Sequence, residues 1–411
     1  MDEQRRESPG PRRPATGTVA GKRLRTMAFV VFQLVIALLL LEGALRLLRP
    51  HHRGLNALLY TPSMRTAFDD VETLEELLED TILGWVPFQN RRGFVLNSRS
   101  MRTAEYAAAS RTGDQEPGPY RIMVLGDSFT FASGGVPYQQ LWTLRMRQEL
   151  EQSGALGELE VFELGVPGVG PRFELRLWEL EHELVDPDLV ILAFFAGNDF
   201  RDESKHALEP WTETLPVRWS YTYRLIRNLR RVWQGREQLR LSDSEQQVHE
   251  RGGFDVGMKP EQIGPVRDDP QAYLQLEANR IQICRASQRN EFLRLAADVD
   301  DVIRRFATEV RASGADFLVV IIPDEFQVDP ELRRKVLDHL QVSADEVDLD
   351  LPQRHLAGQL EEAGIPYLDL VPLFRERTRT QRLYWPNNSH WNPEGNALAG
   401  EAVADYLASS R

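Results

Sequence analysis

From Tyr120 onward, short and nearly continuous apolar runs alternate with longer stretches in which apolar residues recur at helical spacing. The apolar runs are Ile122–Leu125, Leu159–Leu164, Leu189–Phe195, Phe317–Ile322 and Tyr367–Leu370. Apolar strands that alternate with helices are typical of a parallel sheet covered on both faces. The pattern therefore predicts an α/β fold with a five-stranded parallel sheet, and a last helix from Pro393 to Leu407.

A different pattern precedes this domain. Met27 to Leu48 is apolar on every side of a helix and is interrupted only by Gln33, Glu42 and Arg46. As a helix it would be roughly 33 Å long, against ~30 Å of bilayer hydrocarbon. Glu42 and Arg46 are four residues apart on one helix face, so they can pair near the membrane surface. The run predicts a transmembrane helix.

Residues 1–26 are rich in arginine, lysine, proline and glycine, and they precede the apolar run. A basic flank on this side places the N-terminus in the cytoplasm and the later residues outside it. A cleaved signal peptide would have the same start, but no clear A-x-A site follows Leu41. A soluble core helix would rarely be apolar on all sides over this length. We favour an uncleaved single-span anchor.

The organisation predicted from these patterns has several parts. They are a basic tail (1–26), a transmembrane helix (27–48), a lead-in segment (49–119) and an α/β domain (120–411). Within the domain, the strand and helix rhythm breaks between about residues 200 and 298, where a basic, helix-like stretch runs from Trp219 to Arg240. This region is either a lid or an insertion with only a structural role.

Composition removes several classes of function. The net charge of −13 argues against a nucleic-acid partner. The single cysteine, Cys284, excludes an intramolecular disulfide and a cysteine-built metal site. There is no G-x-G-x-x-G after the first strand and no P-loop, so we expect no cofactor, and metal binding has no support either.

Candidate chemistry lies where the predicted strands end. Ser128 follows the first strand and a turn at Gly126-Asp127, where glycine permits a sharp bend and close backbone approach. A serine at the carboxyl end of a parallel strand lies where open α/β sheets bind ligands. The plainer interpretation is that Ser128 only caps the following helix.

Three further residues favour the catalytic interpretation. Gly168 and Asn198 follow the second and third strands, at the same predicted edge of the sheet as Ser128. His390 lies in a loop just before Pro393 and the last helix. A histidine in a loop that returns to the edge carrying a turn serine is a candidate general base, although an isolated loop histidine is more often structural.

The blocks Gly126-Asp127-Ser128-Phe129, Gly168, Gly197-Asn198-Asp199 and His390 resemble those of the SGNH/GDSL hydrolase family, in the same order. The resemblance covers roughly residues 120–200 and 310–411, and the stretch Leu96 to Arg102 is similar to a lead-in of membrane-anchored members. It implies a flavodoxin-like α/β/α sandwich and ester chemistry. It also implies Ser128 as nucleophile and His390 as general base. The Ser128 and Gly168 N–H groups and the Asn198 amide would form the oxyanion hole.

One departure from the family affects the catalytic triad. The family usually has an aspartate two or three residues before the histidine, where this chain has Asn388 and Asn387. In a serine-protease triad, replacing aspartate by asparagine costs about 10⁴ in rate. The site is then a Ser–His dyad supported by a carbonyl, a triad completed by a carboxylate such as Asp324 or Glu394, or a site that binds without turnover. We favour the first two.

The sequence therefore predicts an extracytoplasmic serine esterase that acts on an ester-containing small molecule, an acylated glycan or a lipid. The first alternative is an O-acyltransferase, such as an acetyltransferase acting on a surface polysaccharide. The second is a catalytically weakened relative that binds carbohydrate or serves as a scaffold. The predicted partners are the substrate and, through the N-terminal helix, the membrane.

Overall fold

The structure is a computed structural model, and it describes part of the chain. The described residues are 17–48, 73–79, most of 97–106, 118–131, 135–202, parts of 220–229, and 269–410. Much of the predicted lead-in segment and most of the region between 203 and 268 lie outside these residues.

The centre of the domain is a five-stranded, all-parallel sheet. Its strands are β1 (Tyr120–Gly126), β2 (Leu159–Gly165), β3 (Leu189–Phe195), β4 (Asp316–Ile322) and β5 (Tyr367–Asp369). Their order across the sheet is β2-β1-β3-β4-β5. This is the flavodoxin-like order, in which the chain reverses its direction of growth between β1 and β3. The prediction of fold class is confirmed.

The helices lie on both faces of the sheet. Their bounds are α1 (Gly17–Leu48), α2 (Leu74–Glu79), α3 (Ser128–Phe131), α4 (Trp142–Ser153), α5 (Pro171–Val185), α6 (Pro270–Arg280), α7 (Arg289–Ser313), α8 (Glu325–Val328), α9 (Pro330–Leu340), α10 (Leu351–Glu362), α11 (Val371–Arg377) and α12 (Pro393–Ser409). Short 3₁₀ turns span Tyr138–Gln140, Ile281–Cys284, Ala286–Gln288 and Ala344–Glu346.

Two hydrophobic cores result because side chains alternate across each strand. In β1, Met123 and Leu125 face the core that contains α2, α5, α6, α7, α9 and α10. Ile122 and Val124 face the other core, which contains α4, α11 and α12. The sandwich is therefore covered on both sides. Part of the predicted insertion, from Pro270 onward, packs within the first of these cores.

The last helix packs against the first long helix of the domain. Asn396 of α12 accepts a hydrogen bond from the Trp142 backbone N–H at 3.1 Å. Arg145 of α4 donates to Glu401 of α12 at 2.7 Å. A Cβ on Gly400 would lie 2.5 Å from the Trp142 carbonyl oxygen, so glycine there permits the close approach of the two helices. Residues distant in sequence thus close one face of the sandwich.

The described end of the lead-in segment is built into the domain. Arg102 is buried and donates to the carbonyl oxygens of Phe131 (2.7 Å) and Val136 (2.8 Å). Thr103 donates to the buried Glu163 of β2 at 2.6 Å. Arg102 therefore fixes the backbone that follows α3, the helix that begins at Ser128.

Helix α1 has the dimensions expected of a membrane span. By length and composition, Arg23–Leu48 could cross a bilayer, and most of its apolar side chains are exposed. Arg46 donates to Glu42 at 2.9 Å, which is the predicted pair.

Candidate active site

The sheet register brings the candidate residues to one edge. Gly126 at the end of β1 aligns with Gly165 of β2 and with Ala193 of β3. Phe195, the last residue of β3, aligns with Ile322 of β4. The loops that follow these strands therefore leave the sheet side by side, at the edge where open α/β folds bind ligands.

Close packing at two glycines fixes the position of Ser128. A Cβ on Gly126 would lie 2.3 Å from the Thr130 hydroxyl oxygen, and one on Gly165 would lie 2.3 Å from the Phe131 backbone nitrogen. The neighbours of Gly165 are backbone atoms, and a Cβ on Gly126 would also lie 3.0 Å from the Ala193 carbonyl oxygen, because α3 turns directly over the ends of β1 and β2. These two glycines thus allow the helix that carries Ser128 at its first position to rest on the sheet.

Asp127 braces the same turn. Its Oδ1 accepts a hydrogen bond from the Phe129 N–H at 2.9 Å, and its Oδ2 accepts one from the Ser128 hydroxyl at 3.3 Å. Burial raises the pKa of Asp127 to about 6, against the opposing effect of the Phe129 N–H. The carboxyl group therefore braces the turn beside the nucleophile candidate.

Asn388 orients the imidazole of His390. The Oδ1 of Asn388 lies 2.7 Å from His390 Nδ1 and also accepts the His390 backbone N–H at 3.0 Å. A backbone N–H only donates, so the shared atom is the amide oxygen. His390 Nδ1 must then carry the hydrogen, which leaves Nε2 as the basic nitrogen.

The contact with the His390 ring distinguishes Asn388 from Asn387. Asn388 is buried and holds the ring, whereas Asn387 adopts a left-handed backbone conformation with φ of 53°. Asparagine tolerates that conformation better than most residues, so Asn387 is suited to the turn itself. Among the described residues, no carboxylate is hydrogen-bonded to the His390 ring, and this includes Asp324 and Glu394.

Aromatic packing holds His390 beside the serine turn. The rings of Phe129 and His390 have centroids 5.3 Å apart, and those of Phe129 and Trp391 are 4.8 Å apart. Phe129 also contacts Phe195 at the end of β3, at 4.5 Å. Within the described part of the chain, no hydrogen bond joins Ser128 to His390. Such bonds often form only when substrate is bound.

The backbone at Ser128 and Gly168 suits an oxyanion. Gly168 is exposed and has φ of +78°, a conformation that favours glycine. A Cβ there would meet nothing within 4 Å, so the conformation, rather than lack of space within the protein, explains this glycine. Among the described residues, neither the Ser128 N–H nor the Gly168 N–H donates a hydrogen bond.

Asn198 lies at the same edge but has acidic partners. Its Nδ2 donates to Asp202 at 2.7 Å, and the amide also acts as a hydrogen-bond donor that lowers the pKa of Asp127. Its Oδ1 is buried and has no partner in the described residues. The amide is thus beside the nucleophile candidate, and a part in the oxyanion hole requires the Asn198 side chain to turn.

Arg280, the last residue of α6, is a charged neighbour of the site that the sequence pattern does not reveal. It pairs with Glu277 at 3.1 Å, lies 3.7 Å from Asp324, and stacks over the ring of Phe195 at 5.1 Å. Burial opposes its charge, but the fields of Asp324 and Glu277 outweigh that effect and raise the pKa of Arg280. Its charge is therefore fixed.

The environment of His390 strongly favours the neutral imidazole. Burial, and then the positive charge of Arg280, lower the pKa of His390 from its usual 6.5 to about 3. A neutral Asn388 supplies no compensating negative charge. His390 is thus unprotonated at neutral pH, as a general base must be, but its imidazolium is poorly stabilised.

The carboxyl edge of the parallel sheet, of order β2-β1-β3-β4-β5, carries Ser128, Gly168, Asn198 and His390, and this arrangement resembles that of the SGNH hydrolases. Residues 285–411 match the model of the family described as "SGNH hydrolase-like domain, acetyltransferase AlgX". This finding confirms the resemblance predicted from the sequence blocks. The matched part contains His390 and Asn388 but not Ser128.

Several solved structures are similar to the chain. The acetyl xylan esterase AlAXEase has a TM-score of 0.35 and 12% identity, over 70% of this chain and 98% of that one. A catalytic mutant of Axe2, an acetylxylan esterase from Geobacillus stearothermophilus, has a TM-score of 0.36 and 12% identity, over 71% and 96%. TesA has a TM-score of 0.36 and 14% identity, over 70% and 97%. No curated protein matches the sequence.

Two site-supporting arginines, Arg102 and Arg280, were not predicted. Arg102 lies in the lead-in stretch that resembles anchored members, and that resemblance was the one available signal. Arg280 lies within the predicted insertion, where no sequence feature connects it to the edge of the sheet. Among the described residues, no group of three or more His, Cys, Asp or Glu side chains is arranged to hold a metal ion.

Proposed function

We propose that the protein is a membrane-anchored enzyme, with its domain outside the cytoplasm, that breaks acyl esters through Ser128 and His390. One observation carries the proposal: Asn388 fixes the imidazole with a bare Nε2, and the ring packs on Phe129, next to Ser128. A serine beside a neutral, oriented histidine is the arrangement that nucleophilic catalysis on an ester carbonyl needs.

In the proposed reaction, the Ser128 hydroxyl leaves Asp127 and turns toward His390. Nε2 takes the hydroxyl proton as Oγ attacks the carbonyl carbon, and the Ser128 and Gly168 N–H groups stabilise the oxyanion. The protonated imidazole then gives its proton to the leaving alcohol. Water or a sugar hydroxyl then gives its proton to Nε2 as its oxygen attacks the acyl carbon, and the imidazolium returns that proton to Oγ as the bond between the acyl carbon and Ser128 breaks.

Transfer rather than hydrolysis is favoured by one observation, the acetyltransferase description of the family that matches residues 285–411. The acceptor would then be a hydroxyl of a glycan outside the cytoplasm. Isotope-labelled acetyl donor, supplied with and without an acetyl-free polysaccharide, separates the two reactions. Transfer puts label on the glycan, whereas hydrolysis releases all of it as free acetate.

We expect Ser128→Ala to lower ester turnover by at least ~10³, because only binding and oxyanion stabilisation remain. The measurement is release of p-nitrophenol from its acetate by the full-length protein in detergent. Ser153→Ala, at the end of α4, is the matched control and should leave turnover unchanged. Equal labelling of wild type and Ser128→Ala by a fluorophosphonate would contradict the assignment. Absence of Ser128-dependent turnover and transfer alike would favour the binding or scaffold alternative.

A further inference from the structure

The end of the proposed anchor helix is joined to the region between β3 and α6 by a carboxylate. Glu42 of α1 accepts hydrogen bonds from the Ser220 hydroxyl at 3.1 Å, the Tyr221 N–H at 3.1 Å and the Thr222 N–H at 2.9 Å. The Arg46 guanidinium, already paired with Glu42, lies 5.1 Å from the centre of the Tyr221 ring.

These contacts occur where a helix begins. Residues 221–223, 225, 226 and 229 are helical, and together with Ser220 we call these described residues the docked segment. The first N–H groups of a helix have no acceptor within the helix, and an acidic oxygen commonly satisfies them. Here the acidic oxygens come from another helix. Glu42 thereby gains hydrogen-bond partners for a charge that would be costly next to lipid tails.

The docked segment turns apolar side chains outward. Tyr223, Ile226 and Leu229 are 42%, 57% and 47% exposed, and their three-residue spacing puts them on one side of the helix. Thr222, whose N–H donates to Glu42, is buried. An apolar stripe that is exposed beside an apolar anchor continues the same lipid-facing surface.

The sequence around the docked segment has the composition of a helix that lies in a membrane surface. Arg224, Arg227, Arg230 and Arg231 fall between Trp219 and Trp233. Tryptophan and tyrosine favour the headgroup level, and arginines next to a membrane are attracted to anionic lipids.

The position of Glu42 along α1 agrees with this surface. Glu42 lies about 22 Å along the helix from Met27, so in a ~30 Å hydrocarbon layer that begins at Met27 it lies about 8 Å inside the far boundary. A helix capped by Glu42 therefore begins within the depth of roughly 5–10 Å to which amphipathic helices bury their apolar faces, where a stripe of tyrosine, isoleucine and leucine can contact lipid.

We propose that the docked segment lies in the outer surface of the membrane, held to the anchor by Glu42, with Tyr223, Ile226 and Leu229 at the boundary between the lipid headgroups and the acyl chains. The inference rests on the anchor of the proposed function. It assigns to the region between β3 and α6 a second contact with the lipid surface, which fixes the orientation of the domain above it.

Lipid-borne quenchers test the inference in the full-length protein. Cys284 is buried and is the one native thiol, so an introduced cysteine can be labelled selectively with a fluorophore. Three variants, Ile226→Cys, Leu293→Cys and Leu38→Cys, are labelled and placed in vesicles of phosphatidylcholine and phosphatidylglycerol. Leu293 is the matched control, since it is 41% exposed on α7 in the catalytic domain.

We expect nitroxides near the headgroups to quench the label at 226 strongly and the label at 293 only to background. Nitroxides deep in the chains should quench the label at 38. Adding Glu42→Ala should reduce quenching at 226 toward the level at 293 and leave position 38 unchanged. Replacing phosphatidylglycerol by phosphatidylcholine should weaken quenching at 226 as well, because the attraction of the arginines is lost.

Three results would overturn the inference, and they differ in whether they also contradict the proposed anchor. If the label at 226 is quenched no more strongly than the label at 293, while the label at 38 is still quenched, the docked segment does not contact the membrane but the anchor does. If the label at 38 is not quenched, α1 does not enter the bilayer, and the proposed anchor is contradicted as well. Shielding of the 226 label from iodide in detergent, increasing with protein concentration, assigns the apolar stripe to a second copy of the chain.

Discussion

Asn388 and Arg280 act on the same side chain in the same direction. Asn388 orients His390 without giving it a negative partner, and Arg280 adds a positive charge that opposes protonation. In the proposed reaction, the lowered pKa of His390, about 3, keeps the base neutral at neutral pH. An imidazole with the usual pKa of about 6.5 would be half protonated at pH 6.5. What the site lacks is help for the imidazolium that forms during the reaction.

We expect Asn388→Asp to raise ester turnover near neutral pH by up to ~10², because the carboxylate stabilises the imidazolium. The same change raises the pKa of His390, since a nearby negative charge favours the protonated ring. A base protonated at higher pH is lost at higher pH, so the acid limb of the profile of kcat/KM against pH moves upward.

Asn387→Asp is the control for this prediction. Its position is the left-handed turn residue and not the ring partner, so it should change neither turnover nor the acid limb. The assignment of Asn388 as the ring-orienting residue fails if Asn388→Asp leaves both turnover and the pH profile as in wild type while the protein remains folded.

Arg280→Gln is expected to move the acid limb of kcat/KM to higher pH by removing the positive charge beside His390. It should also lower the free energy of unfolding by about 3 kcal/mol, because Glu277 and Asp324 lose their buried partner. Arg280→Lys keeps the charge and should keep the pH profile. An unchanged acid limb in folded Arg280→Gln would show that Arg280 does not act on the base.

At the level of single residues, Ser128 and His390 could be selected from the sequence because Ser128 follows the end of a strand and His390 precedes the start of a helix. It could not choose between Asn387 and Asn388, since that choice depends on one backbone turn. Arg280 could not be found at all. No periodicity or residue spacing in the sequence indicates that a cation on another helix lies beside the site.

At the scale of elements, the strands were the most predictable part. A strand buried on both faces must be apolar along its whole length, so β1 to β4 appear in the sequence as continuous apolar runs. The burial of α2 was harder to predict, because the stretch around it is acidic. Its acidic residues favour the interpretation of a solvated helix, but Leu74, Leu77 and Leu78 are buried in the core. A short helix shows too few turns for its buried side to be recognised.

The loop after β2 offers a matched test of the oxyanion site. Gly168 and Gly154, the residue after α4, both have positive φ, of +78° and +67°, and both have open space at the Cβ position. Alanine at either should cost about 1–2 kcal/mol of stability through backbone strain. Only Gly168→Ala should also lower kcat, by roughly 10², because it moves an oxyanion donor. Equal kcat values for the two variants would remove Gly168 from the site.

For the whole molecule, the prediction concerns which side of the membrane holds the domain. A phosphatase that is active only outside the cytoplasm, fused after Arg411, should be active because the basic flank of α1 stays inside. A fluorescent protein that matures only in the cytoplasm is the reciprocal control. Fluorescence without phosphatase activity would place the domain inside and contradict the proposed location.

The packing of α12 against α4 bears on when the enzyme becomes active during synthesis. A ribosome makes Ser128 and the first three strands long before it makes His390 and α12. Until α12 covers α4, one face of the sheet stays open and the serine has no base. A stalled or truncated product would therefore carry the nucleophile without the means to activate it. Under the proposed function, ester chemistry would therefore begin only once the last helix has packed against α4.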